Sequence, residues 1–241
     1  MNLKAMPVLT KKQIEHGYFN DIGGFPPLNE TEDRTNFAVK VEDYNGQKTL
    51  CICCTQLDAY GYNEREKKRV LAEWIDFLQA NKHAFTALHF NSRVPQALFD
   101  AACCQENLEE LRFKWGVYSD IAAIENLHNL KFLYIGSCPS VKEITPLIKL
   151  KKLVVLFAQN FNKIEDYSSL VLLNRLEQLI ISGPTLGTTP IKDFEFLRQM
   201  PNLLSFWCPN TTIRKKYTAD EITALCTSVP NLHIMYSCIF K

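Results

Sequence analysis

One pattern of apolar residues recurs seven times along the last two thirds of this chain. Phe85-Thr-Ala-Leu88-His-Phe90, Leu108 to Phe113, Leu130 to Ile135, Leu153 to Ala158, Leu176 to Ile181, Leu203 to Cys208 and Leu232 to Ser237 are apolar at the first and fourth positions and mostly at the sixth. Their starting residues, 85, 108, 130, 153, 176, 203 and 232, are spaced by 23, 22, 23, 23, 27 and 29. No unit this short can bury its apolar ridge alone. Neighbouring units must therefore stack on one another and share a continuous core. A second apolar series lies between the strand-like phrases: Ile121, Ile124 and Leu127; Val141, Ile144, Leu147 and Leu150; Ile164, Tyr167 and Leu170; Ile191, Phe194 and Leu197.

The phrases Asp120-Ile-Ala-Ala-Ile-Glu-Asn-Leu-His-Asn-Leu130 and Glu143-Ile-Thr-Pro-Leu-Ile-Lys-Leu150 carry a resemblance. Over roughly residues 83–241 the chain resembles the leucine-rich repeat family, in particular its short-unit, internalin-like subclass found in bacteria. That resemblance implies an α/β fold: a right-handed solenoid with a curved parallel sheet on its concave side. It also implies a non-enzymatic scaffold, without cofactors, that binds a protein or peptide on that sheet. The family's inward Asn position holds Arg93, Gly116, Cys138, Phe161, Pro184 and Thr211, of which Cys138 is a common substitute, so irregular turns are expected. The two longest units are expected to carry true helices. Thr218, with Glu221 three residues on, is a capping-box signature for one of them.

The chain divides into an arm (1–35), a cap (36–82) and about seven repeats (83–241). The arm, with Gly23-Gly24 and a polar run from Asn29 to Asn36, reads as irregular. In NFAVKVEDYNGQKTLCICC, Asn45-Gly46 between two alternating segments predicts a β-hairpin, because both residues tolerate positive φ. A helix is predicted from Asn63, with Leu71, Trp74, Ile75 and Leu78 on its apolar face. Hairpin and helix together would close the first end of the repeat core.

The segment NLKFLYIGSC, 129–138, raises the question of function. Leu130, Leu133 and Ile135 form its core set, yet Phe132 and Tyr134 occupy the other face. Successive strand residues point to opposite sides. Residues at the third, fifth and seventh positions of each unit therefore face the concavity. The candidate partner-binding surface is Arg112, Lys114, Trp115, Phe132, Tyr134, Val155, Phe157, Ile180, Trp207 and Tyr236, with Glu110 at its edge. Each large aromatic can bury about 150–250 Å², and an aromatic centre with a charged rim is the composition of an interface. Two other outcomes compete with that reading. The arm could fold over the stripe, or a one-residue slip in strand phase could reverse the faces.

Other function classes find less support. The 27 basic and 26 acidic residues leave a formal net charge of +1, which favours neither nucleic acid nor an anionic membrane. The first residues lack the apolar core of a secretory signal, and no run reaches the ~20 apolar residues of a bilayer span. A cytoplasmic location is therefore expected. Nine cysteines, an odd count with adjacent pairs, do not suggest a disulfide framework. Cys51, Cys53 and Cys54 allow an alternative, a redox, metal or catalytic site in the N-terminal region, but no second Cys/His cluster follows at zinc spacing. No histidine sits in a recognisable motif. A last strand, HIMYSCIFK, with nothing to cap it would also permit weak homodimerisation through its open edge, and so a self-associating structural role.

Overall fold

The computed structural model describes residues 7–21, 36–229, 232 and, by backbone alone, 234–237. Among the described residues, nine strands form one sheet, parallel throughout, in the order in which they pair: β1 (Phe37–Ala38), β2 (Thr49–Ile52), β3 (Ala87–Val94), β4 (Glu110–Gly116), β5 (Phe132–Ile135), β6 (Val155–Gln159), β7 (Gln178–Ser182), β9 (Ser205–Cys208) and β11 (Ile234–Ser237). Strands β8 (Thr189–Ile191) and β10 (Thr211–Ile213) form a separate parallel pair. Fourth-position residues align across the sheet: Leu50 with Leu88, Leu88 with Leu111, then Leu133, Leu156, Leu179, Phe206 and Met235. The register matches the repeat alignment, so the strand phase read from the sequence holds.

The returning segments differ with the length of the unit. Between β4 and β9 they are single 3-10 turns: Ala122–Asn126, Thr145–Lys149, Ser168–Leu172 and Glu195–Gln199. Five residues in this tight geometry cross the back of a short unit while presenting the second apolar series, with Ile124, Leu147, Leu170 and Leu197 buried. Of the two longest units, both expected to hold a helix, the one starting at Leu176 spends its extra residues on β8 and a 3-10 turn. The one starting at Leu203 does hold one, α5 (Ala219–Ser228), with Thr218 and Glu221 forming the predicted capping box. Cys138 and Thr211 fill the inward turn position as polar substitutes. Cys138 Sγ donates to the Gly136 carbonyl at 3.3 Å, and Thr211 Oγ1 to the Cys208 carbonyl at 2.7 Å.

The predicted hairpin is corrected. β1 and β2 pair in parallel, Phe37 with Cys51 and Ala38 with Ile52. The chain leaves β1 through a 3-10 turn at Val41–Asp43, held by Asp43 accepting from the Val39 and Lys40 amides, before turning at Gly46 (φ +98°). Asn-Gly marked a positive-φ turn correctly; it could not say whether the flanking strands pair across it. The cap therefore continues the sheet. α3 (Glu64–Ala80), capped by Asn63, lays Val70, Trp74 and Leu78 against the core, and Trp74 Nε1 donates to the Val39 carbonyl at 2.8 Å. α4 (Gln96–Ala102) follows Pro95 in the next unit. One hydrophobic core runs unbroken from Ala38 to Val229.

Candidate functional site: the concave groove and its occupant

The arm lies in the concavity. Its expected irregularity is corrected: residues 11–16 form α1 (Lys11–His16) and residues 18–21 form α2 (Tyr18–Asp21). Thr10 caps α1 in a reciprocal box with Gln13, and Gly17, at φ +87°, turns the chain from one helix to the next. The one-sided burial of α1 follows from its sequence, since Lys11, Lys12, Glu15 and His16 are exposed while Ile14 is buried.

Leu9, Ile14 and Phe19 bury themselves against Val154, Val155 and Leu204 and against half-buried Phe132, Tyr134 and Phe157. This cluster is separate from the solenoid core. The Tyr18 ring stacks on Phe132 at 4.0 Å between centroids with 3° between planes. Phe19 meets Tyr134 edge-on at 5.5 Å, and the Arg112 guanidinium lies over the Phe19 ring at 5.3 Å. Gly17 sits on the Trp207 indole so closely that a Cβ there would come within 3.0 Å of the ring.

Polar contacts set the position of the arm along the groove. Both carboxylate oxygens of Glu177, a residue only 8% exposed, accept consecutive backbone amides, from Val8 at 2.8 Å and Leu9 at 2.9 Å. Gln178 bridges the next turn: its Oε1 accepts from the Tyr18 amide at 2.8 Å and its Nε2 donates to the Gln13 carbonyl at 3.1 Å. The Tyr18 hydroxyl donates to Glu110 Oε2 at 3.0 Å, and the other oxygen of Glu110 bonds His89 Nε2 at 2.7 Å. Burial pushes the Glu110 carboxyl up, but hydrogen bonds from His89 and Tyr18 and the Arg112 charge outweigh it and hold the group below its ordinary value. Burial, with Glu110 beside it, drives the Tyr18 phenol well upward, so it stays a donor.

The ten candidate surface residues thus divide. Phe132, Tyr134, Val155, Phe157, Ile180, Trp207 and Arg112 line the concave face as expected, but they do not form an open patch. Val155 and Ile180 are buried, Arg112 is 3% exposed, and the arm contacts Arg112, Phe132, Tyr134, Val155, Phe157 and Trp207. The expectation of a free aromatic stripe is corrected on that point. Lys114 and Trp115 stand to one side, with the Lys114 ammonium 4.6 Å from the indole centroid and Trp115 36% exposed. Tyr236 pairs through its backbone with Trp207, and its side chain lies outside the described residues.

Sequence reasoning missed Glu177, Val154 and Leu204, and it placed Gln178 on the concave side, as a third-position residue, without including it in the candidate surface. A signal existed. In the row formed by the second residue of each unit, Glu109 and Lys131 make an exposed ion pair at 2.8 Å, whereas Val154 and Leu204 are apolar on either side of Glu177. An acid between two apolar residues in such a row marks covered ground.

The N-terminal cysteines Cys51, Cys53 and Cys54 are all buried. Burial pushes the Cys51 thiol up to about 12 and raises Cys53 and Cys54 as well, the reverse of an activated thiolate. Among the described residues no group of three His, Cys, Asp or Glu side chains could hold a metal, and no helix is long and apolar enough to cross a membrane.

Stacked parallel strands aligned on their leucines, with single turns behind them, define an internalin-like leucine-rich repeat solenoid. Comparison with solved structures agrees. The chain is similar to internalin C2 of Listeria monocytogenes, at 22% identity and a TM-score of 0.50 over 68% of this chain and 63% of that one. It is also similar to internalin F of the same organism, at 19% identity and a TM-score of 0.50 over 66% of this chain and 43% of the other. The match therefore spans less than two thirds of either internalin. No family model matches the chain, and no curated protein does.

Proposed function

We propose that this protein is a non-enzymatic interaction module whose concave sheet binds a polypeptide segment. One observation carries the reading: the groove already holds such a segment, residues 7–21, gripping its backbone through Glu177 and Gln178 and its side chains through one stacked and one edge-on ring contact. A preformed, rigid surface of this kind binds with little ordering cost on its own side. The groove pairs aromatic floor residues with charged ones at its margin, as interface hot spots do.

The test is binding in trans. In the full chain, Leu9→Asp with Phe19→Ala removes two of the arm's three buried anchors. A labelled peptide of residues 7–21 should then bind saturably, and adding Phe157→Ala or Trp207→Ala should weaken it about tenfold, roughly the 1.4 kcal/mol equivalent. Absence of saturable binding would count against the reading.

A further inference from the structure

The contacts of the arm describe what the groove recognises. Its cluster is distinct from the solenoid core, so the arm can leave without opening the repeats. Its helices span only residues 11–16 and 18–21. Helices this short do not persist alone in water. The groove thus imposes their shape, and the arm orders as it docks.

Recognition has two parts. Glu177 and Gln178 bond backbone groups of Val8, Leu9, Gln13 and Tyr18, which any sequence could supply. Side-chain reading falls to Leu9, Ile14, Gly17, Tyr18 and Phe19: three apolar anchors, a residue with no Cβ where the Trp207 ring approaches, and a ring matched to Phe132. The fit also has a flaw, since the buried Trp207 Nε1–H has no acceptor among the described residues. An outside segment bringing an acceptor to that point gains a bond that residues 7–21 do not make.

We infer that residues 7–21 are a built-in competitor, and that the partner is a segment of another protein presenting the same pattern: an apolar residue before a capped helical turn, a second apolar residue, then glycine followed by two aromatic residues. This inference rests on the proposed function. A tethered ligand acts at an effective concentration of order millimolar, and an occupied site lowers apparent affinity by the fraction left open. The arm therefore sets a threshold that a partner crosses by binding more tightly or by being locally concentrated.

The experiment compares the full wild-type chain with its Leu9→Asp/Phe19→Ala variant. Each is titrated with the labelled 7–21 peptide and with a scrambled peptide of the same composition. Gly17→Val, which places a branched side chain at positive φ against Trp207, serves as a second arm-weakened chain should the first fold poorly. The wild type should bind the peptide about 10- to 100-fold more weakly than the arm-weakened chains, and the scrambled peptide should bind none of them. Equal affinity for all chains would overturn the competitor while leaving the interaction module in place. Equal binding of the scrambled peptide would overturn the pattern, and no binding to any chain would overturn both this inference and the function beneath it.

Discussion

Glu177 shows how one residue can decide what a surface does. Its carboxylate holds two successive amides of the arm in an environment where hydrogen bonds to a charged group are worth about 1.5–3 kcal/mol. Glu177→Gln should raise hydrogen exchange at the Val8 and Leu9 amides at least ~10-fold while leaving exchange in β5 and β6 unchanged. Core positions should behave differently: Leu133→Ala or Leu156→Ala, fully buried, should cost about 2–5 kcal/mol of global stability, whereas Phe157→Ala should mainly loosen the arm. Glu110 adds a dependence on pH. Its folded-state value lies below the unfolded one, so its contribution is present above the unfolded carboxylate value, about 4.3, and is lost as pH falls through the folded one. Acidification through that window should release the Tyr18 hydroxyl, seen as a change in Tyr18 ring resonances. Leu133 and Phe132 were assigned to opposite faces from alternation alone, because strand geometry is local. For Glu177 the sequence signalled only covered ground, an acid set between apolar neighbours; what it binds was not legible, because that depends on a segment 168 residues away in sequence.

At the scale of elements, the repeat phrases disclosed nearly every strand of the main sheet, since each carries its own leucines and a stacked unit has only one way to bury them. The hairpin failed for the reason the repeats succeeded. Pairing is a property of two segments, and the local signal at Asn45-Gly46 described only a turn. Helix caps fared well, because the box at Thr218 is made within three residues. The arm's box at Thr10 obeys the same rule but was hidden in a segment too short and polar to read as helical. The β8–β10 ribbon is an addition the repeat pattern did not announce, and it rests on close backbone approach. A Cβ at Gly183 would overlap the Asn210 carbonyl oxygen. Gly183→Ala should therefore destabilise the protein by about 1–3 kcal/mol, as overpacking does, which a denaturant melt would read directly.

Taken whole, the molecule is a continuous solenoid core with a small second cluster laid into its concave face. Two clusters with separate packing should open separately. Exchange across residues 7–21 should accelerate at denaturant concentrations well below the global transition, with the strands still protected. The seated arm turns an aromatic surface that looks open in the sequence into an occupied one, and it makes access to the groove the quantity a partner must change. The most direct test is a set of nuclear Overhauser contacts in the full chain between the rings of Tyr18 and Phe132 and of Phe19 and Tyr134. Strong contacts, with the Tyr18 resonances shifted by stacking, are the predicted result; absent contacts, with both arm rings at the shifts of an unstructured peptide, would contradict it.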